Sequence, residues 1–318
     1  MTKTKKIMSV VVCLMILLPL FSFAKNEQKI DRRELEAKEV KIHQKKVVPV
    51  AEKGKPVKPP VVDTTQFSAT GEIGAITTGN KYAIVIGICD YPGTANDICV
   101  SDGDAKNMRE ALVTKYGYLD ENVYLLRDML ATYDSVANAI DEVKSKVQQG
   151  DEVVFFFSGH GTTGRVNDGD TEKIDEGILV HDGASLKLIW DGQLRTWFSD
   201  INTSRVIFIF DSCKAGGMND AAKEGRITVM SSAEAENSFV YSNGEFGEGL
   251  FSHYFVNEGM LQSKADAYNQ LSASDGGVAV EEASVYAKEW VSRYVDENNL
   301  YHLQSVNVSD LFVKDLML

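Results

Sequence analysis

The segment Tyr82-Ala83-Ile84-Val85-Ile86-Gly87-Ile88 is a continuous apolar run, as expected of a strand buried on both faces. Val153–Phe157 and Arg205–Phe210 have the same character, and Asn122–Leu126 reads as another strand. Helical spacing lies between them. Asp102–Tyr116 sets apolar positions at Met108, Leu112 and Val113, and Tyr133–Val147 forms a second helix before Gly150. Further along, Gly177–Val180 predicts a short strand, Asp191–Phe198 a short helix and Ile227–Met230 a strand. Leu250–Val256 and Val280–Val295 predict helices, and Gln304–Val308 an edge strand. Buried strands separated by helices imply an α/β fold: a mostly parallel central sheet with helices on both faces. In such sheets the reactive residues gather at the carboxyl ends of the strands.

The first 80 residues break this pattern. Residues 1–24 carry Lys3, Lys5 and Lys6, then an apolar stretch from Ile7 to Phe21, then Ser22-Phe23-Ala24 with small residues before a cut after Ala24. That is the layout of a secretory signal peptide and is short for a spanning helix, so a secreted or periplasmic protein without a stable membrane anchor is expected. Residues 25–76 read as a basic pro-segment and linker, rich in lysine and proline towards Pro60 and unable to pack a core. The folded domain is expected over residues 77–318.

Charge sharpens this division. The 318-residue chain has a formal net charge of −13, yet residues 25–62 are net +5 and residues 63–318 net −21. So acidic a body repels phosphate backbones, which argues against nucleic-acid partners and favours cations or basic peptides. The basic segment should be drawn onto the acidic body, where its lysines can occupy a cleft that accepts cations. No glycine fingerprint for phosphate follows the first strand, where Gly87-Ile88-Cys89-Asp90-Tyr91-Pro92-Gly93 stands, so nucleotide binding is set aside.

Candidate chemistry sits at two strand ends. The strand 153–157 runs into Ser158-Gly159-His160-Gly161, and the strand 205–210 into Asp211-Ser212-Cys213. A thiol needs a nearby base to become a thiolate at neutral pH, and imidazole supplies one. His160 is therefore the candidate general base and Cys213 the nucleophile, with the Gly161 and Cys213 N–H groups as oxyanion donors. Once Cys13 leaves with the signal peptide, Cys89, Cys99 and Cys213 remain, an odd number. Cys89 and Cys99 are either bridged or both reduced.

Taken together, YAIVIGI, YPGTANDI, SGHG, DEGILVHDG, FDSC and GEGLFSHYF resemble the caspase-like clan of cysteine peptidases, and metacaspases in particular. The resemblance implies a caspase–haemoglobinase fold and a monomer acting on peptides or proteins. It further implies endopeptidase activity through His160 and Cys213 that cuts after Arg or Lys and needs no cofactor for the chemistry. It assigns Asp97, Ser158 and Asp211 to the substrate pocket and Asp175, Asp191 and Asp220 to a regulatory calcium site. Two departures from the family pattern are Thr94, where a cysteine is usual, and Trp190-Asp191-Gly192, which has one Asp where the family has two. Lys45-Lys46 and Lys53 are then self-processing sites, with Lys214, Lys223 and Arg226 as further ones. The alternative is an inactive caspase-like adaptor that binds basic peptides or partner proteins.

Overall fold

The computed structural model describes residues 29–47, 69–98, 100–169, 171–242, 247–266, 276–300 and 303–318. The expected signal peptide and Cys99 lie outside them. Among the described residues the first strands are β1 (Lys38–His43) and β2 (Lys46–Val47), and the domain proper opens with β3 (Lys81–Gly87). α1 (Ser101–Lys115), β4 (Val123–Arg127), α2 (Tyr133–Lys146) and β5 (Glu152–Ser158) follow. Next come β6 (Gly161–Arg165), β7 (Asp175–Asp182), β8 (Ser185–Trp190), α3 (Asp191–Trp197) and β9 (Val206–Asp211). The chain continues through β10 (Arg226–Met230), β11 (Phe239–Ser242) and β12 (Gly247–Gly249). α4 (Leu250–Ser252) widens into π-helical turns over His253–Leu261, and α5 (Val280–Glu297) and β13 (Asn307–Asp310) complete the fold.

The central sheet has the order β13-β10-β9-β5-β3-β4, parallel except for β13 at one edge. Its three middle strands carry the apolar runs, with every residue of β5 and β9 buried, as burial on both faces requires. One apolar cluster lies under α2 and includes Ile84, Phe155, Phe157, Phe208 and Phe210. The other lies under α1 and α5 and includes Val85, Phe156, Ile209, Met108 and Val291. α2 starts where Thr132 caps it, its Oγ1 accepting the Ser135 N–H at 3.0 Å. No described helix is long and apolar enough to cross a membrane.

Two features depart from the sequence reading. The expected short strand at 177–180 is the middle of a longer β7, which pairs with β8 and β6 in a second sheet ordered β1-β6-β7-β8. More consequentially, residues 29–47 pack against the domain and are no tether. β1 pairs antiparallel with β6, β2 pairs parallel with β11, and Arg32 bridges to Asp141 at 2.6 Å. Hydropathy does not announce these contacts, because edge pairing is held by backbone hydrogen bonds and needs no apolar run.

Candidate active site

Register brings the two reactive residues together. Ser158 at the end of β5 pairs with Asp211 at the end of β9, so His160 and Cys213 each stand two residues beyond adjacent strand ends. The approach is close enough that a Cβ on Gly161 would lie 1.8 Å from the Cys213 carbonyl oxygen, so only glycine fits there. Just past the nucleophile the chain turns through Lys214 in the left-handed region, at φ 64°.

Both reactive side chains are only 1% exposed. His160 Nε2 lies 2.6 Å from the Asn96 carbonyl oxygen, which can only accept. The hydrogen is therefore on Nε2, and Nδ1 keeps its lone pair. Nδ1 is buried with no hydrogen-bond partner among the described residues. The Cys213 sulfur accepts the Ser238 N–H at 3.3 Å, and its thiol points to the Ser238 carbonyl at 3.6 Å. Burial pushes His160 down to about 4, with Lys45 adding to that effect against the Asn96 carbonyl and Asp97. Burial likewise pushes the Cys213 thiol up to about 11. Near neutral pH this state therefore pairs a neutral thiol with a neutral imidazole.

The N-terminal segment reaches into the site. The side chain of Lys45 is wholly enclosed, with Nζ 2.8 Å from Asp211 Oδ1, 3.0 Å from Ser158 Oγ and 3.9 Å from Asp104 Oδ2. The acids around it are braced. Ser238 and Ser252 donate their hydroxyls to Asp211 at 2.8 and 2.7 Å, and Ser158 donates to Asp104 at 2.6 Å. The Gly249 N–H also reaches Asp104, at 3.0 Å. Next door, Gln44 donates to Asn96 Oδ1 at 2.8 Å and to the Ala95 carbonyl at 3.1 Å, gripping the loop that holds His160. Gly161, the expected oxyanion donor, is paired with His43 of β1. Leu179 N–H bonds the His160 carbonyl at 3.2 Å. By the alternation of an antiparallel ladder, the Gly161 N–H then faces β1.

Of the three residues expected in the pocket, Ser158 and Asp211 gather around Lys45 Nζ, whereas Asp97 stands apart, exposed, with Oδ1 capping the turn by accepting the Tyr91 N–H at 3.2 Å. Its place is taken by Asp104, fully buried in the first turn of α1. A sequence signal for Asp104 existed. It sits four residues before Met108 and eight before Leu112, on the apolar stripe of its helix, where an unpaired carboxylate is not stable. Thr94 lies in a short 3₁₀ turn, Thr94–Asn96.

The acidic residues also regroup. Asp175 and Asp191 come together as expected, but the third member of their triad is Asp168, with carboxylate oxygens mutually within 4.8 Å. Asp220 instead pairs with Arg195, while its charge still reaches Asp191. Burial and the Asp220 and Asp168 carboxylates lift the Asp191 carboxyl. Glu176 is pushed up to about 8 by burial, then by Glu234, Glu172 and Asp175. Hard oxygen donors at this spacing fit a calcium-like cation. The cluster abuts the loop after the nucleophile, since a Cβ on Gly217 would fall 1.9 Å from Glu176 Oε2.

Parallel strands ending in an adjacent thiol and imidazole define a caspase-like α/β domain. Residues 81–222 match the family model described as "Metacaspase, peptidase C14 domain", so this segment is similar to the metacaspase peptidase domain. Metacaspase-4 of Arabidopsis thaliana is 32% identical over 194 residues, covering 58% of this chain and 45% of that protein. Metacaspase-8 of the same plant is 31% identical over 153 residues, covering 45% and 39% respectively. Metacaspase-1 of Scheffersomyces stipitis is 26% identical over 194 residues, covering 55% and 48%. The matches span less than half the length of these relatives.

Proposed function

We propose that this protein is a cysteine endopeptidase that cuts after Lys or Arg and is restrained by its own N-terminal segment. The observation that carries this reading is the enclosure of the Lys45 ammonium between Asp211, Asp104 and Ser158, beside Cys213. Two carboxylates set this way suit a substrate ammonium or guanidinium by charge-assisted hydrogen bonds. A caspase-like pocket for Asp substrates would need cations in their place.

With the segment displaced, His160 Nδ1 takes the Cys213 proton as sulfur attacks the scissile carbonyl carbon. The resulting oxyanion is held by the Gly161 and Cys213 amides. The imidazolium then protonates the leaving amine, the C–N bond breaks and a thioester remains. Water attacks the thioester, giving its proton to Nδ1, and the sulfur leaves as the acid product departs. In the docked state Gly161 faces His43, two residues before Lys45, whereas a substrate must present the carbonyl of its own pocketed residue to that amide. The docked segment is thus an inhibitor in form and not a seated substrate.

A panel of fluorogenic peptides ending in Arg, Lys or Asp, with Cys213→Ala as the blank, tests the reading. Arg and Lys peptides are expected to turn over and Asp peptides not. On the same panel Asp104→Asn raises KM for the Arg peptide about tenfold or more, because the substrate cation loses a buried partner, while Asp97→Asn leaves KM unchanged. Preference for Asp peptides, or equal KM in both variants, overturns it. Turnover of none would favour the adaptor.

Calcium is proposed as a regulator, held by Asp168, Asp175 and Asp191, with its charge relieving the repulsion beside the 214–217 loop. The sign with pH follows from Glu176, whose folded value of about 8 lies above its ordinary 4.5. That group favours the fold at low pH, and its contribution is lost as pH rises from about 4.5 through 8. Without divalent cation, the contribution of Glu176 to Tm is therefore lost between pH 5 and 8. Calcium raises Tm at pH 8 by a few degrees, at about 2–4 °C per kcal/mol, and does little at pH 5. Scanning fluorimetry with calcium or chelator reads this, and a Tm at pH 8 indifferent to calcium sinks the site. Export is proposed on the sequence of residues 1–24 alone.

A further inference from the structure

We propose that Tyr91 is the positioning residue for His160, an assignment that rests on reading His160 as the general base. Tyr91 belongs to the loop between β3 and α1 and is 1% exposed. Its ring stacks on the imidazole of His160, with centroids 4.7 Å apart and planes 15° from parallel. It also stacks with His181, at 5.9 Å and 3°. Its Oη accepts the His160 main-chain N–H at 2.9 Å and donates towards the Leu179 carbonyl at 3.4 Å. One side chain therefore holds both the backbone and the ring of the same histidine.

The loop that supplies Tyr91 also supplies the Asn96 carbonyl that receives His160 Nε2 at 2.6 Å. The two contacts divide the work. The carbonyl selects the tautomer with Nδ1 unprotonated, and the phenol ring fixes the plane in which Nδ1 points. His181 anchors the loop in turn, its Nε2 lying 2.8 Å from the Asp90 carbonyl oxygen. Without the stack, the imidazole gains room to rotate away from Asn96, and both tautomer and aim are lost. Misplacement of a base by about 1 Å costs roughly 10²-fold in rate, so the effect should fall on kcat. Substrate binding should not change, because Tyr91 is absent from the groups around Lys45.

The test compares Tyr91→Phe and Tyr91→Leu in full-length protein carrying Lys45→Ala, with Cys213→Ala as the blank. Tyr91→Phe keeps the stack and loses both hydrogen bonds of the hydroxyl, so kcat falls about fivefold at unchanged KM. Tyr91→Leu loses the stack as well, and kcat falls about 30-fold or more, again at unchanged KM. Ring ¹⁵N shifts of His160 give a readout that needs no turnover. The parent and Tyr91→Phe show one Nε2–H tautomer, and Tyr91→Leu shows exchange between two. If both variants keep the parent kcat, or the loss falls on KM, the proposal is overturned. Should Tyr91→Leu not fold, an unchanged kcat in Tyr91→Phe overturns it alone. A parent without Cys213-dependent turnover defeats the peptidase reading, and the nitrogen shifts then decide Tyr91 by themselves.

Discussion

Full-length protein carrying Lys45→Ala should cleave an Arg-ending peptide about 10²-fold faster than the wild type. Lys45 is wholly enclosed against Asp211 and Asp104, and removing one member of such a buried pair costs about 3–5 kcal/mol. That cost falls on the docked state alone, since an undocked lysine is solvated. The docking equilibrium thus moves by about two to three and a half orders of magnitude, at about 1.4 kcal/mol for each factor of ten. The measured gain is capped by the fraction of wild-type molecules already open. Lys45→Arg keeps the charge and should stay restrained. Initial rates, normalised by titration of reactive Cys213, decide the matter, and equal rates for wild type and Lys45→Ala would leave the segment as a structural strap. Because the docked register faces His43 to Gly161, wild-type processing after Lys45 or Lys53 should be carried out by a second molecule. Intact-mass spectrometry should show its rate per molecule rising with protein concentration, and Cys213→Ala should never change mass.

In the Lys45→Ala background, Cys213→Ala and His160→Ala should each abolish turnover, with losses on the order of 10³-fold or more and no summation in the double variant. The reason is that proton transfer and attack are one event shared by two side chains. Neither change should disturb the sheet, since both residues lie beyond the strand ends. Tm and active-site-directed alkylation separate loss of chemistry from loss of fold. Residual activity above a tenth of the parent in Cys213→Ala would place the nucleophile elsewhere.

The contacts of the N-terminal segment and the reactive residues at the strand ends were unequally legible in the chain. β3, β5 and β9 are readable because a strand buried on both faces must be apolar at consecutive positions, and their ends carry SGHG and DSC into view. β1, KEVKIH, is exposed along most of its length, and β6, GTTGR, has no large apolar side chain. Their pairing consists of backbone bonds that no side-chain pattern encodes. The charge contrast between residues 25–62 and the body pointed to association and to lysines in a cleft. Which lysine enters depends on the path of β1 and β2 across two separate sheets.

Asp97 and Asp104 make the same point at one residue's scale. Both follow β3 and both are acidic, but Asp97 closes a turn through the Tyr91 N–H while Asp104 faces inward from α1 towards β5 and β9. Local sequence permits either to serve a cation, and only the packing of α1 over the sheet chooses. By itself the sequence determined the sheet's core strands, the thiol and imidazole at their ends and the charge contrast between the basic segment and the acidic body. These follow from hydropathy period, residue chemistry and net charge, all of which are local or additive. The tertiary structure alone decided that Lys45 meets Asp211 and Asp104, that Asp168 joins Asp175 and Asp191, and that Tyr91 stacks on His160. Each of these is a meeting of side chains distant in sequence, set by register and helix placement that no single segment carries.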